Sequence, residues 1–295
     1  MSSAKSTSNW RDVALTALAP AVWGSTYIVT TQLLPPDRPF TAALLRVLPA
    51  GLLLVLAGRW LPRRGDWGKL LRLSALNIGA FQALLFVAAY RLPGGLAAVV
   101  GAIQPLLVMG LAWGLDRNRP GGWPLAASLT GIAGMAALLL SPGSAWDGLG
   151  VLAALGGAVC MACGTFLTRR WRLAAPITAL TGWQLLLGGL MLLPLAWRLD
   201  APLPALGAVQ IAAYGYLSLF GALLAYLLWF RGIARLSPVA VSSLGLLSPL
   251  TAVLLGWLLL GQALSPLSLL GLVTVLASVL VVQWNMAAAV PARQF

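Results

Sequence analysis

Residues 84–114 read LLFVAAYRLPGGLAAVVGAIQPLLVMGLAWG, and residues 223–261 read LLAYLLWFRGIARLSPVAVSSLGLLSPLTAVLLGWLLLG. Set 144 residues apart, the two stretches match Arg91 with Arg235, Leu92 with Leu236, Gly101 with Gly245, Pro105 with Pro249 and Trp113 with Trp257. Each joins two long apolar runs across a short basic turn. A helix needs about 20 mostly apolar residues to cross a bilayer, so each stretch reads as a pair of antiparallel spans. Weaker matches extend the pattern. At an offset of 137, Pro39, Thr41 and Gly51 meet Pro176, Thr178 and Gly188; at 139, Thr26-Tyr27 meets Thr165-Phe166; at 140, Gly131 meets Gly271.

Working outward from that pair, ten such runs are found, at 12–32, 40–58, 70–90, 94–115, 123–140, 148–168, 176–198, 206–230, 237–260 and 267–286. The fold expected is an all-α integral membrane protein of ten transmembrane helices. It divides into two five-helix repeats, 1–142 and 143–295. Five is odd, so the second repeat enters the membrane from the opposite side, and Arg91 and Arg235 lie on opposite faces. An inverted-topology repeat is a sequence signature of alternating-access carriers, whose substrate sites lie between the repeats near the midplane.

The composition agrees. Of 295 residues, 60% are hydrophobic and 8% charged, with a mean hydropathy of +0.91. A soluble domain carries roughly 25% charge, and a disordered chain is poor in apolar residues. The net charge of +13 would suit nucleic acid, but its distribution points elsewhere. With the N-terminus placed in the cytoplasm, the inner loops collect most of the Lys and Arg, five of them in Arg59–Arg72, and the outer loops hold only Arg38, Arg91 and Arg198. That is the positive-inside bias of a multi-pass protein. Both termini are therefore expected on the cytoplasmic side, with the run after Met1–Arg11 an uncleaved first helix rather than a signal peptide.

The missing residue types limit the chemistry. With no His, there is neither an imidazole base nor a His-ligated metal. The six acids are all Asp and sit near segment ends or in loops, which disfavours an acid/base pair in the membrane. Cys160 and Cys163 form a C-x-x-C, but without a βαβ context or further ligands they read as small helix residues. No catalytic residue, metal or cofactor is expected, and the chain does not read as an enzyme. Proton-coupled carriers usually keep an acid or His at depth, so a facilitator driven by the substrate gradient, or a weakly coupled carrier, is the expectation.

Candidate site residues follow from depth. Of the 13 Trp, 11 fall near segment ends, where an interfacial belt explains them. Trp23 and Trp183 lie well inside their spans. Polar and aromatic residues at depth are few: Trp23, Ser25, Thr26 and Tyr27 in the first span; Asn77, Phe81 and Gln82 in the third; Gln104 in the fourth; Trp183 and Gln184 in the seventh; Tyr214 and Tyr216 in the eighth; Ser242, Ser243 and Ser248 in the ninth. Amides, hydroxyls and bare carbonyls suit a zwitterion. Bonds to neighbouring helices, or to the residue's own helix for Ser and Thr, are the plainer explanation. Proline lacks the N–H that would bond the carbonyl four residues back. Pro105 and Pro249 are therefore expected to free the carbonyls of Gly101 and Gly245, as kinks that shape packing or as hinges lining the site. Arg46 is the one charge inside a span, free to snorkel outward, to pair with carbonyls or to meet a substrate carboxylate.

Ten spans in two halves, Trp23-Gly24-Ser25, Arg46, and the Pro105 and Pro249 motifs together resemble the drug/metabolite transporter superfamily. The resemblance covers nearly the whole chain and is nearest to EamA-type exporters, among them the YddG-like amino-acid exporters. It implies a bacterial inner-membrane exporter of amino acids, neutral and aromatic ones especially. Drugs, organic cations or nucleoside-type metabolites on the same fold are the alternative cargo. The partners expected are the small-molecule substrate and the bilayer, not nucleic acid; monomer and dimer stay open.

Overall fold

Apolar runs this long can satisfy their backbone groups away from water only by closing hydrogen bonds within themselves. In the computed structural model, which describes residues 3–92, 100–139, 147–261 and 265–288, they form helices and, among the described residues, no strands. In chain order these are α1 (Ser3–Leu33), α2 (Pro39–Gly58), α3 (Arg64–Arg91), α4 (Gln104–Asp116), α5 (Gly122–Leu139), α6 (Gly148–Trp171), α7 (Ile177–Leu199), α8 (Ala208–Arg235), α9 (Pro238–Leu260) and α10 (Pro266–Ala288). Among the described residues, α1, α2, α3 and α6 to α10 are long and apolar enough, taken whole, to cross a membrane, and the chain is an all-helical membrane protein. Residues 94–99 of the expected fourth span lie outside the described residues.

Several helices outrun their apolar cores. The third starts at Arg64 rather than 70, and the eighth ends at Arg235 rather than 230. Backbone hydrogen bonding continues into the polar ends, where hydropathy no longer reports it.

Four interruptions break the helical ladder in related places. A π turn occupies Ala75–Gly79 in α3, and another occupies Leu219–Leu224 in α8, 144 residues further on. A turn at 102–103 precedes α4, and α9 is broken at Gly245–Leu246. The carbonyl of Gly245 is not left free as expected. The Ser248 N–H bonds it at 3.1 Å, tightening the turn before Pro249.

Packing joins elements from both sides of residue 142. The most extensive contacts are α2 with α7, α5 with α10, α3 with α6, and α1 with α9 and α8. Small residues allow the close approaches. A Cβ on Gly51 of α2 would strike the backbone of Leu186 in α7, and one on Gly24 of α1 would strike the Ser248 carbonyl in α9 and stand 2.5 Å from Thr251 Cβ. The outward surface is a field of exposed Leu and Trp, including Leu258, Leu259, Trp123 and Trp284, as a lipid-facing wall requires.

Ion pairs close both ends of the bundle. Arg91 at the end of α3 meets Asp147 at 3.2 Å, while Arg231 and Arg235 in α8 meet Asp12 of α1 at 2.6 and 3.4 Å. Asp147 also caps α6 by accepting the Gly150 N–H at 2.6 Å. That bond, with Arg91 beside it, holds the Asp147 carboxyl below its ordinary range. Being depressed on folding, its contribution is present above the ordinary range and is lost only in stronger acid.

Candidate functional site: a donor-rich aromatic cavity

A cavity of about 340 Å³ lies among α1, α2, α3, α4, α6, α8 and α9. It runs from the broken segment of α9 toward exposed Thr31, near the end of α1 opposite Asp12. That volume falls within the range of about 300–1,000 Å³ typical of small-molecule sites.

Six aromatic side chains contribute to its wall. Trp23 packs against Tyr226 and Trp229, with both pairs of ring centroids 5.1 Å apart, and Tyr27, Phe81 and Phe86 also line it. The second π turn organises one side. Its Gly221 carbonyl accepts two hydrogen bonds, from Trp23 Nε1 at 2.9 Å and from Arg46 Nη2 at 3.0 Å. Wide π turns loosen the backbone ladder and recur at functional sites. Arg46 is 1% exposed, so it does not snorkel. Its guanidinium lies over the Phe86 ring, 5.9 Å from the centroid, a cation–π contact.

Of the residues singled out from sequence, Trp23, Thr26, Tyr27, Arg46, Phe81, Gln104, Ser242 and Ser248 line the cavity, together with Gly101, Gly245 and Pro249. The others lie off its wall for identifiable reasons. Asn77 Nδ2 donates to Gln184 Oε1 at 2.8 Å and to Thr168 Oγ1 at 3.0 Å, so Asn77 and Gln184 staple α3, α6 and α7. Gln82 Nε2 donates to Tyr226 Oη at 2.6 Å behind the aromatic wall. Trp183 Nε1 donates to the Trp60 carbonyl at 2.9 Å, and its ring meets Trp67 edge-on. Ser243 donates to the Ala240 carbonyl and accepts from Gln283. Tyr214 is buried and Pro105 sits in the first turn of α4, both away from the lining.

Sequence reading missed Thr30, Phe86, Tyr226 and Trp229. Trp229 was expected in the interfacial belt because the eighth span was ended at 230. The helix runs to Arg235 and Trp229 is 1% exposed, which overturns that assignment. Trp146, also expected in the belt, lies outside the described residues. Tyr226 had an available signal: it is the residue 144 beyond Gln82, its hydrogen-bond partner.

A bundle of membrane-spanning helices around a molecule-sized polar and aromatic cavity belongs to the class of multi-pass membrane transporters. The sequence gives the family: residues 11–140 and 148–284 match the EamA-like transporter family, and the chain belongs to it. Protein PecM of Dickeya dadantii is 46% identical over 267 residues, covering 90% of each chain. The uncharacterized inner membrane transporter YedA of Escherichia coli K12 is 28% identical over 272 residues, covering 88% of this chain and 87% of YedA. A solved crystal structure superposes with a TM-score of 0.78 at 19% identity, over 94% of this chain and 97% of its own, a likeness of fold.

Proposed function

We propose that the protein is an alternating-access exporter of amino acids and similar amphiphilic metabolites, neutral and aromatic ones first, across the bacterial inner membrane. The observation that carries this reading is the cavity with its six aromatics, held between helices from both halves of the chain, with Arg46 its one charged group among the described residues. Its volume suits one ring with a short polar substituent, as in an aromatic amino acid. The paired positions support an inverted repeat: π turns 144 residues apart, helix breaks before Pro105 and Pro249, and ion pairs at opposite ends that use the matched residues Arg91 and Arg235. Helices that cross between halves and break beside a central cavity are suited to rocking one half against the other. The charge bias of the loops supports a cytoplasmic position for both termini.

Organic cations are the less favoured cargo on this fold. A buried guanidinium with no acid in the lining repels them. No Asp lines the cavity, so the carrier acts as a facilitator driven by the substrate gradient.

Proteoliposome uptake of a labelled amino-acid panel, with and without an imposed pH gradient, tests this. Saturable uptake of neutral and aromatic amino acids is expected, indifferent to the gradient and lost in folded Trp23→Ala or Gln104→Ala protein. Uptake of nucleosides or organic cations with no amino acid accepted would discard the cargo assignment, and a gradient-driven uptake would discard the facilitator.

A further inference from the structure

Arg46 poses a charge problem that this chain cannot resolve by itself. The side chain is 1% exposed and lines the cavity. Of its five N–H groups, the Gly221 carbonyl takes one, on Nη2. Nε and Nη1 have no partner among the described residues. The chain has only six acids. Asp12, Asp116 and Asp147 pair with arginines at the bundle ends, Asp200 accepts the Thr41 N–H at 2.5 Å, Asp37 lies in the connection before α2, and Asp66 lies in the first turn of α3. None lines the cavity. A buried cation without a counter-charge is costly, and this one belongs to the residues that line the cavity, with Nε and Nη1 buried and unpartnered.

Among the lining residues, the other unpartnered groups can all donate. Trp229 Nε1 and Gln104 Nε2 are buried in the lining without acceptors, as are the hydroxyls of Thr26 and Thr30. Arg and Trp can only donate, whereas hydroxyls can do either. The cavity is therefore rich in donors and holds no carboxylate to receive an ammonium.

We propose that the cavity binds an aromatic monocarboxylate, with the carboxylate on the open fork of Arg46 and the ring among Trp23, Tyr27, Tyr226 and Trp229. This inference rests on the transport reading above and narrows its cargo. The carboxylate is the recognised charge, and an α-ammonium is dispensable. Arg binds carboxylates with two parallel charge-assisted bonds, and Phe86 with the Gly221 carbonyl fixes its plane beforehand.

Isothermal titration calorimetry of the full chain in nanodiscs, with phenylacetate, its neutral amide phenylacetamide, and phenylalanine, tests it. Phenylacetate is expected to bind at least as tightly as phenylalanine, and phenylacetamide about tenfold more weakly or worse, since it lacks the charge that the fork pairs with. Arg46→Lys keeps the charge and loses the fork, so it is expected to weaken phenylacetate more than phenylacetamide. The acid–amide comparison uses the unaltered protein, so it holds even if Arg46 variants fail to fold. Equal affinity for acid and amide, or displacement of phenylacetate by sulfate as effective as by phenylacetate itself, would overturn the proposal. Phenylalanine binding that persists when phenylacetate does not bind would overturn it too, leaving amino-acid transport standing. Phenylacetate binding by the inferred rules in protein that transports nothing would instead reject the transport reading alone.

Discussion

Single residues behind the cavity wall decide how rigid it is. Gln82 and Tyr226 stand 144 residues apart in the chain and 2.6 Å apart in space, and Gln82 Oε1 has no partner among the described residues. Tyr226→Phe would leave the whole amide buried and unpaired. An orphaned buried polar group costs roughly 1–3 kcal/mol, whereas replacing both partners with apolar groups of similar shape is nearly neutral. Thermal unfolding in detergent is therefore expected to fall for Tyr226→Phe and to recover substantially in Gln82→Met/Tyr226→Phe. A double variant no more stable than the single one would mean that the bond is not what holds α3 to α8. Trp23→Phe is a milder change. It removes one of two donors from the Gly221 carbonyl and leaves Arg46 as the other. Its cost is expected near the low end of a neutral hydrogen bond, about 0.5 kcal/mol, with the aromatic wall intact in the same melting experiment.

At the scale of helices, seams are set by where side chains are missing. Gly24 touches the backbone of α9 at Ser248 and Ala252, which cannot retreat without shifting the helix. Gly24→Ala is expected to lower the melting temperature and disturb the cavity together, because Ser248 belongs to both seam and lining. Gly110 on the exposed face of α4 has nothing within 4 Å, so Gly110→Ala is expected to be neutral or to stabilise by up to about 1 kcal/mol through helix propensity alone. Equal effects at the two glycines would reject the close-contact explanation. This scale also marks what the sequence could disclose. The spans were legible because a bilayer needs about 20 apolar residues in a row, and the kinks because proline has no N–H. The π turns were not, since Ala75–Gly79 and Leu219–Leu224 carry no proline or other residue that marks a widened turn. Arg46 was visible as an anomaly, but the Gly221 carbonyl that captures it lies 175 residues away. Trp229 was hidden by a boundary placed five residues early. Asn77 and Gln184 looked like site residues because depth identifies polar groups without saying which of them face one another.

For the whole molecule, the ion pairs of Asp12 and of Asp147, at opposite ends, are unequal, and that inequality bears on alternating access. Asp12 lies at the end opposite Thr31, with its side chain 10% exposed and two arginines on one oxygen. Asp147 lies at the Thr31 end in an exposed pair with Arg91, their side chains 37% and 47% exposed. Exposed pairs are screened and weak, while partly buried ones are costlier to break. If the halves rock, each cluster resists opening of its own end. Removing Asp12 should favour the state open on the Asp12 side and so close the Thr31 side. Removing Asp147 should do the reverse, and less strongly. A Thr31→Cys probe in a Cys160→Ser/Cys163→Ser background, labelled with a membrane-impermeant maleimide, reads this out. Asp12→Asn is expected to slow labelling several-fold, and Asp147→Asn to speed it slightly. Shifts in the same direction would mean that the two ends open independently, and the aromatic cavity would then be reached as through a channel rather than by an exchange of access between the two faces.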